Sequence, residues 1–197
     1  MTRETPVLRT DPVQRLLGAA TEAFAERGFH ATTTRDIAGR AGMSPAALYV
    51  HFRSKEEVLY HIALRGHREA RQIVADAPAG LATHAERLRA MVHDFACWHA
   101  GEHTMGRVVQ YELDALDPAH RTEVVLLREQ IESDVLGEIS AGIATGEFGT
   151  PDAKGATLVL LSLCVDVARW YRPDGRLSPA EIGDLYGNTA LRVVAAR

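Results

Sequence analysis

The 197-residue chain is poor in the features that mark several protein classes. Its two cysteines, Cys97 and Cys164, are too few for a disulfide framework, and both lie in apolar helical patterns where cysteine behaves as a small hydrophobe. No apolar run reaches the roughly 18 residues of a membrane span. Met1-Thr2-Arg3-Glu4 lacks the apolar stretch of a signal peptide, so the chain is expected to work in the cytoplasm, with no membrane partner. Strand-like alternation with hairpin turns is almost absent. So are G-x-x-x-x-G-K-[ST], H-E-x-x-H and G-x-S-x-G, which argues against an enzyme and calls for no cofactor. Lysine is scarce, only Lys55 and Lys154, and the net charge of -4 does not suggest a nucleic-acid partner. That sum hides a split, because residues 1–70 carry +2 and residues 71–197 carry -6. A DNA contact would therefore lie near the N-terminus.

What is present is helix punctuation, and with 46% hydrophobic residues the chain reads as a folded, all-α protein. Asp11-Pro12 caps a first helix, about 12–27, that Gly28 stops. Thr33-Thr34-Arg35-Asp36 is a capping box for a second helix ending at Gly42, and Ser44-Pro45 opens a third through about Phe52. Ser54-Lys55-Glu56-Glu57 reads as a further capping box, starting a helix that fades before Pro78-Ala79-Gly80. The spacing then predicts helices over about 83–99 and 106–115. One capped by Asp117-Pro118 follows and runs to about Thr145. A nearly wholly apolar one comes next, capped by Thr150-Pro151, and a last one is boxed by Ser178-Pro179-Ala180-Glu181. These elements divide the chain into an N-terminal three-helix unit (1–54), a connecting helix (55–76) and a larger helical domain (77–197).

The second and third helices, separated by Gly42-Met43-Ser44, have helix-turn-helix geometry, with Ile37, Ala38, Ala41 and Leu48 as the buried face. By itself this pattern also fits a helical hairpin inside a bundle. The wider pattern is more specific: Ala23-Phe24-x-x-Arg27-Gly28-Phe29-x-x-Thr32-Thr33-Thr34-Arg35-Asp36-Ile37-Ala38, then Ala41-Gly42-Met43-Ser44 and Leu48-Tyr49-x-His51-Phe52-x-Ser54-Lys55-Glu56. Over residues ~12–60 the chain resembles the TetR family of bacterial transcriptional regulators. The resemblance implies a homodimeric regulator, usually a repressor, that leaves double-stranded operator DNA when a small-molecule effector binds its C-terminal domain.

Carried over by position, Thr33, Thr34 and Arg35 are expected to anchor the DNA backbone. Ser44, Tyr49, His51 and Lys55 are expected to touch phosphate or sugar. Pro45, Ala46 and Ala47 face base edges without a hydrogen-bonding side chain, so readout should rest on thymine methyls, operator shape and the N-terminal arginines Arg3 and Arg9 in a minor groove. The apolar residues of the last two helices (Leu158, Leu160, Leu161, Leu163, Ile182, Leu185, Leu191, Val194) exceed what one small domain buries, and in the family these helices form the dimer's four-helix bundle.

For the effector, Phe95, Trp98, Met105 and Tyr111 supply rings and a soft side chain. Glu112, Asp166, Arg169 and Trp170 add charge and a polar handle. The ending Arg169-Trp170-Tyr171-Arg172-Pro173-Asp174-Gly175-Arg176-Leu177-Ser178-Pro179 resembles that of regulators of lipid and sterol catabolism, some of which sense acyl-CoA thioesters. The alternative is an efflux regulator that senses an aromatic or cationic drug. His93, Cys97, His99 and His103 offer metal-ligand spacing, but residues 97 and 99 point about 200° apart on a regular helix, so all four cannot meet without a break at Ala100-Gly101. The ligand is expected to act by moving the connecting helix and with it the spacing of the two reading heads.

Overall fold

The computed structural model describes residues 11–197. The described chain contains nine α-helices: α1 (Pro12–Ala31), α2 (Thr34–Arg40), α3 (Pro45–His51), α4 (Lys55–Asp76), α5 (His84–Gly101), α6 (His103–Glu112), α7 (Pro118–Ala144), α8 (Ala153–Trp170) and α9 (Pro179–Val193). A 3-10 turn, Leu113–Ala115, joins α6 to α7. Arg3 and Arg9 lie outside the described residues.

Most helix starts follow from local side-chain chemistry. Asp11, Thr33, Ser44, Ser54 and Ser178 each accept from a backbone N–H of the first turn. The reciprocal bond of a full box forms at Thr33/Asp36 and Ser178/Glu181. It also forms at Thr83/Glu86, a box not foreseen from the sequence. At Ser54 the box is shifted, because Glu57 takes the N–H of Arg53 instead of that of Ser54. Two other caps differ from expectation. The apolar helix α8 is capped by Asp152, which accepts from Gly155, and not by Thr150. Asp117 occupies the N-cap position of α7 without a side-chain bond, and its N–H goes to Glu56. Gly28 breaks α1 as expected (φ 78°, ψ 163°), but one more helical turn follows it through Ala31. Helices α5 and α6 are displaced from their expected bounds by one to three residues.

The buried residues form two cores. The first joins α1–α4 and also takes Met105, Val108 and Val109 of α6, with Leu116 and Val124 beyond it. The second is built from the end of α4 (Ala70, Val74) with α5, α7, α8 and α9. Helices α4 and α7 therefore contribute to both cores, and α6 packs into the first.

Helix α9 packs chiefly on α5, and glycine sets how close it comes. A Cβ on Gly183 would lie 2.4 Å from the Cys97 sulfur, and one on Gly187 would lie 2.9 Å from the Arg89 carbonyl. The apolar surplus of the last two helices divides between inside and outside. Leu160, Ile182 and Val194, expected at a dimer face, are core residues of the single protomer. Leu158, Val159, Leu163 and Leu185 stay exposed, Leu158 by 67%. Among the described residues no helix is long and apolar enough to cross a membrane.

Two glycines should respond oppositely to alanine. Gly183→Ala must force α9 from α5 and should cost about 1–3 kcal/mol, the range for an overpacked core. Gly137→Ala, in mid-α7 with nothing near its Cβ direction, should add roughly 0.5–1 kcal/mol from helix propensity. Urea denaturation of the two variants beside the parent checks both signs.

Candidate nucleic-acid interface and effector pocket

The α2–turn–α3 unit is held from behind. Leu48, Ile37 and Ala38 are buried against α1, and Gly42 takes the positive φ of the turn (66°). Arg15 of α1 donates to the Ala41 carbonyl just before it. This leaves the opposite side of α3 in solvent. Ala46 is exposed, and Val50 is 79% exposed. On a helix these two positions stand about 160° from Leu48 to either side, so they face directly away from the core. Val50 was missed in the sequence, where an aliphatic residue reads as core by default. Its two methyls extend the apolar set Pro45, Ala46, Ala47 that suits thymine methyl groups.

The polar residues around this face are arranged as follows. The Thr33 hydroxyl is occupied by its capping box with Asp36. Thr34 Oγ1 and the Tyr49 hydroxyl lie 3.1 Å apart, linking α2 to α3 at the surface. Ser44 Oγ accepts from the Ala47 N–H at 3.2 Å, which leaves its own O–H free to donate. His51 is exposed at the last turn of α3. Of the head's arginines, Arg27 pairs with Asp36, and Arg40 pairs with Glu22 and Glu26. Arg35 and Arg53 are exposed and carry no ion pair among the described residues. Arg53, directly after α3, is a second residue the sequence reading passed over.

Lys55 departs from its expected role as a free phosphate contact. Its Nζ donates to the carbonyls of Phe29 (2.6 Å), Thr32 (2.8 Å) and His30 (3.4 Å), and lies 4.2 Å from the centre of the Phe29 ring. Burial pushes its pKa down, against the opposing pull of Glu112. The ammonium's three donors are thus used inside the head, clamping the end of α1 to the start of α4.

Between α4, α5, α6, α7 and α8 lies a cavity of about 410 Å³. Phe95, Trp98, Met105, Tyr111, Asp166 and Arg169, all expected near the effector, line it together. Glu112 does not. Its side chain turns to the reading head, where Oε1 accepts the Phe29 N–H at 3.0 Å. Trp170 instead borders a shallow dent with Tyr171, Arg172 and Leu177.

Polar residues that the sequence did not single out also line the cavity. His67 Nδ1 lies 2.8 Å from the Ala63 carbonyl, and its Nε2 accepts from Arg128 Nε at 2.9 Å. Arg128 also donates to Gln110. Among the described lining residues Asp166 is the single carboxylate, and Arg169 engages both of its oxygens. Arg107, Arg128 and Arg169 thus line the cavity from three different helices.

Burial lowers the pKa of His67 to about 4 and that of His99 to about 3. As the helix geometry implies, His93, Cys97, His99 and His103 do not meet at one point. Cys97 donates to the Pro179 carbonyl, His93 contacts Asp94, His103 Nδ1 lies near the Ala100 carbonyl, and His99 faces the cavity.

A family model described as bacterial regulatory proteins, tetR family, matches residues 16–62, and one described as tetracyclin repressor-like, C-terminal domain, matches 81–194. The chain belongs to the TetR family. It is 35% identical to the HTH-type transcriptional repressor KstR2 of Mycobacterium tuberculosis over 87% of this chain and 86% of the relative. The solved structure of that ketosteroid transcriptional regulator superposes with a TM-score of 0.87, at 26% identity over 95% of this chain and 96% of that one. A TetR-family protein from Rhodococcus RHA1 gives 0.89 at 35% identity, covering 95% and 99%. AibR, solved with isovaleryl coenzyme A and operator DNA, gives 0.82 at 21% identity over 95% and 100%, a likeness of fold alone. TetR-family regulators bind operator DNA as dimers and respond to ligands, so this chain is a DNA-binding regulator.

Two outcomes follow for the TetR-type head and its pocket. Replacing Arg35 or Arg53 by serine should weaken operator binding across sequences alike, and lower the log–log salt slope by about one unit for each phosphate no longer neutralised. Anisotropy titrations at several salt concentrations measure this. Below pH 6.5 the unfolded chain binds protons that folded His67 and His99 refuse. Stability is therefore full above that value and falls as pH drops towards about 4, by up to about 1.4 kcal/mol per pH unit for each group. Urea midpoints between pH 7 and 4.5 should show this slope, and it should flatten in His99→Phe.

Proposed function

We propose that this TetR-family protein is a cytoplasmic, non-catalytic repressor released from its operator by an anionic effector with an apolar body, an acyl-CoA thioester or related lipid. The observation that carries this reading is the cavity's composition. Phe95, Trp98 and Ile131 give it apolar lining, while Arg107, Arg128 and Arg169 stand among the lining residues and only Asp166 opposes them. Arg128 is partly buried with no carboxylate partner among the described residues, a costly arrangement that an anionic ligand would relieve. The volume suits the acyl portion, with the nucleotide left outside near the arginines. A cationic drug would meet an excess of arginine, of which only Arg169 is paired to a lining carboxylate, which disfavours efflux sensing. The similarity to KstR2, a ketosteroid regulator, supports the lipid class.

For DNA we assign backbone contacts to Thr33, Thr34, Arg35, Ser44, Tyr49, His51 and Arg53, and base-edge contacts to Pro45, Ala46, Ala47 and Val50. Leu158, Val159, Leu163 and Leu185 form the apolar face that a second copy would cover. That places two heads on successive half-sites.

Two helices can transmit occupancy. Helix α4 presents Gly66, His67 and Ala70 to the cavity and begins at the Lys55 clamp. Helix α6 lines the cavity with Gly106 and Gln110, buries Val108 in the head's core, and ends at Glu112 on the Phe29 N–H. Ligand that displaces α6 therefore pulls on the end of α1, from which α2 and α3 hang.

The test uses an operator duplex selected from random sequence by the protein itself. Decanoyl-CoA should weaken operator binding some 5–150-fold, the usual range of such coupling, and decyltrimethylammonium should not. Release by the cation but not the thioester would overturn the effector class. Glu112→Ala should keep decanoyl-CoA binding in calorimetry while losing most of the release, since the residue touches the head and not the cavity.

A further inference from the structure

The cavity holds two histidines in opposite states. His67 is fully engaged, with the Ala63 carbonyl on one ring nitrogen and Arg128 on the other. His99 is only 7% exposed, and neither of its ring nitrogens has a hydrogen-bond partner among the described residues. Buried polar atoms are nearly always satisfied, and leaving one unpaired costs on the order of 1–3 kcal/mol. The ring is held in place. Phe95 and Trp98 meet it edge-on at 4.6 and 4.9 Å between centroids. Gly106 lets α6 approach α8 closely beside the ring, since a Cβ there would lie 2.9 Å from the Ala168 methyl and 3.6 Å from Nδ1. A rigid imidazole with an unused N–H, set among aromatic and aliphatic groups, is suited to recognising one oxygen on an otherwise apolar body.

We infer that His99 is a specificity-determining residue that hydrogen-bonds a carbonyl oxygen carried on the apolar part of the effector, so that the preferred ligand is oxygenated there and is not a plain saturated chain. This deepens the proposed function and rests on the cavity being the effector site, but not on the effector being a thioester. With its pKa lowered to about 3, the ring stays neutral at physiological pH and retains one N–H donor. A neutral donor favours a ketone over a hydrocarbon of the same shape, because the hydrocarbon leaves the nitrogen unpaired. His67 has both ring nitrogens engaged, so it does not compete for that oxygen.

The test uses two isosteric fragments, cyclohexanone and methylenecyclohexane, with the full-length protein. Binding is followed by the ring nitrogen resonances of 15N-histidine-labelled protein and by competition with decanoyl-CoA. Cyclohexanone should bind roughly fivefold or more tightly than its hydrocarbon twin, the scale of one net hydrogen bond, and should shift a single His99 ring nitrogen. In His99→Phe, which keeps the ring contacts to Phe95 and Trp98, the preference should vanish or reverse. Equal binding of the two fragments would overturn the inference, as would a ketone preference that survives in His99→Phe, an unshifted His99 ring, or no binding of either fragment. A His99 satisfied by an ordered water alone would give the first of these. Failure of the thioester reading would appear separately, as an operator complex indifferent to decanoyl-CoA.

Discussion

The relation between the two halves of the protein depends on how the end of α1 is held. Gly28 breaks the helix and exposes main-chain groups that a continuous helix would have used internally. The Phe29 N–H goes to Glu112, and the carbonyls of Phe29, His30 and Thr32 go to the single ammonium of Lys55. A carboxylate from α6 and a cation from α4 thus close one broken helix end. The Lys55 and Glu112 charges also support one another. Because α2 and α3 follow directly from this point, the attitude of the reading head depends on two helices that also wall the cavity.

This gives the apolar packing its functional sense. Met105 and Val109 of α6 are buried in the head's core and also line the cavity, so there is no layer between ligand and head that could absorb a displacement. Close-packed interiors transmit such shifts instead of deforming gradually. The other side of the cavity is braced differently: α5 is gripped by α9 through Gly183 and Gly187, where backbone and sulfur come within van der Waals contact. One wall is thus packed tightly against α9, and the other shares residues with the head's core.

The electrostatics divide in the same way. The net charge of -4 is the sum of a slightly basic head and an acidic remainder. Within the head, the Arg27 and Arg40 pairs cancel charge away from the reading face and leave Arg35 and Arg53 free beside it. In the acidic half the cavity is a local exception, with three arginines lining it against one carboxylate. Composition reported neither local excess, since each involves only two or three side chains.

The residues themselves carried the all-α class, most of the helix starts and the DNA-reading unit. Caps and capping boxes operate within three or four residues, and the helix-turn-helix spans fewer than twenty, so their chemistry is written in contiguous sequence. The same locality made six of the eight expected cavity residues legible, as bulky or charged side chains on apolar helices. What folding decided is everything that depends on residues far apart in the chain. Glu112 looked like a ligand contact until its helix end met Phe29, 83 residues away. Lys55 looked like a phosphate contact until three carbonyls from the end of α1 surrounded it. Leu160 and Ile182 went inward while Leu158 and Leu185 stayed outside, according to which side of α8 and α9 faced α5. His99 became a buried ring without a partner among the described residues only once α5, α6 and α8 enclosed it, because burial and hydrogen-bond satisfaction are properties of an environment and no single helix carries them.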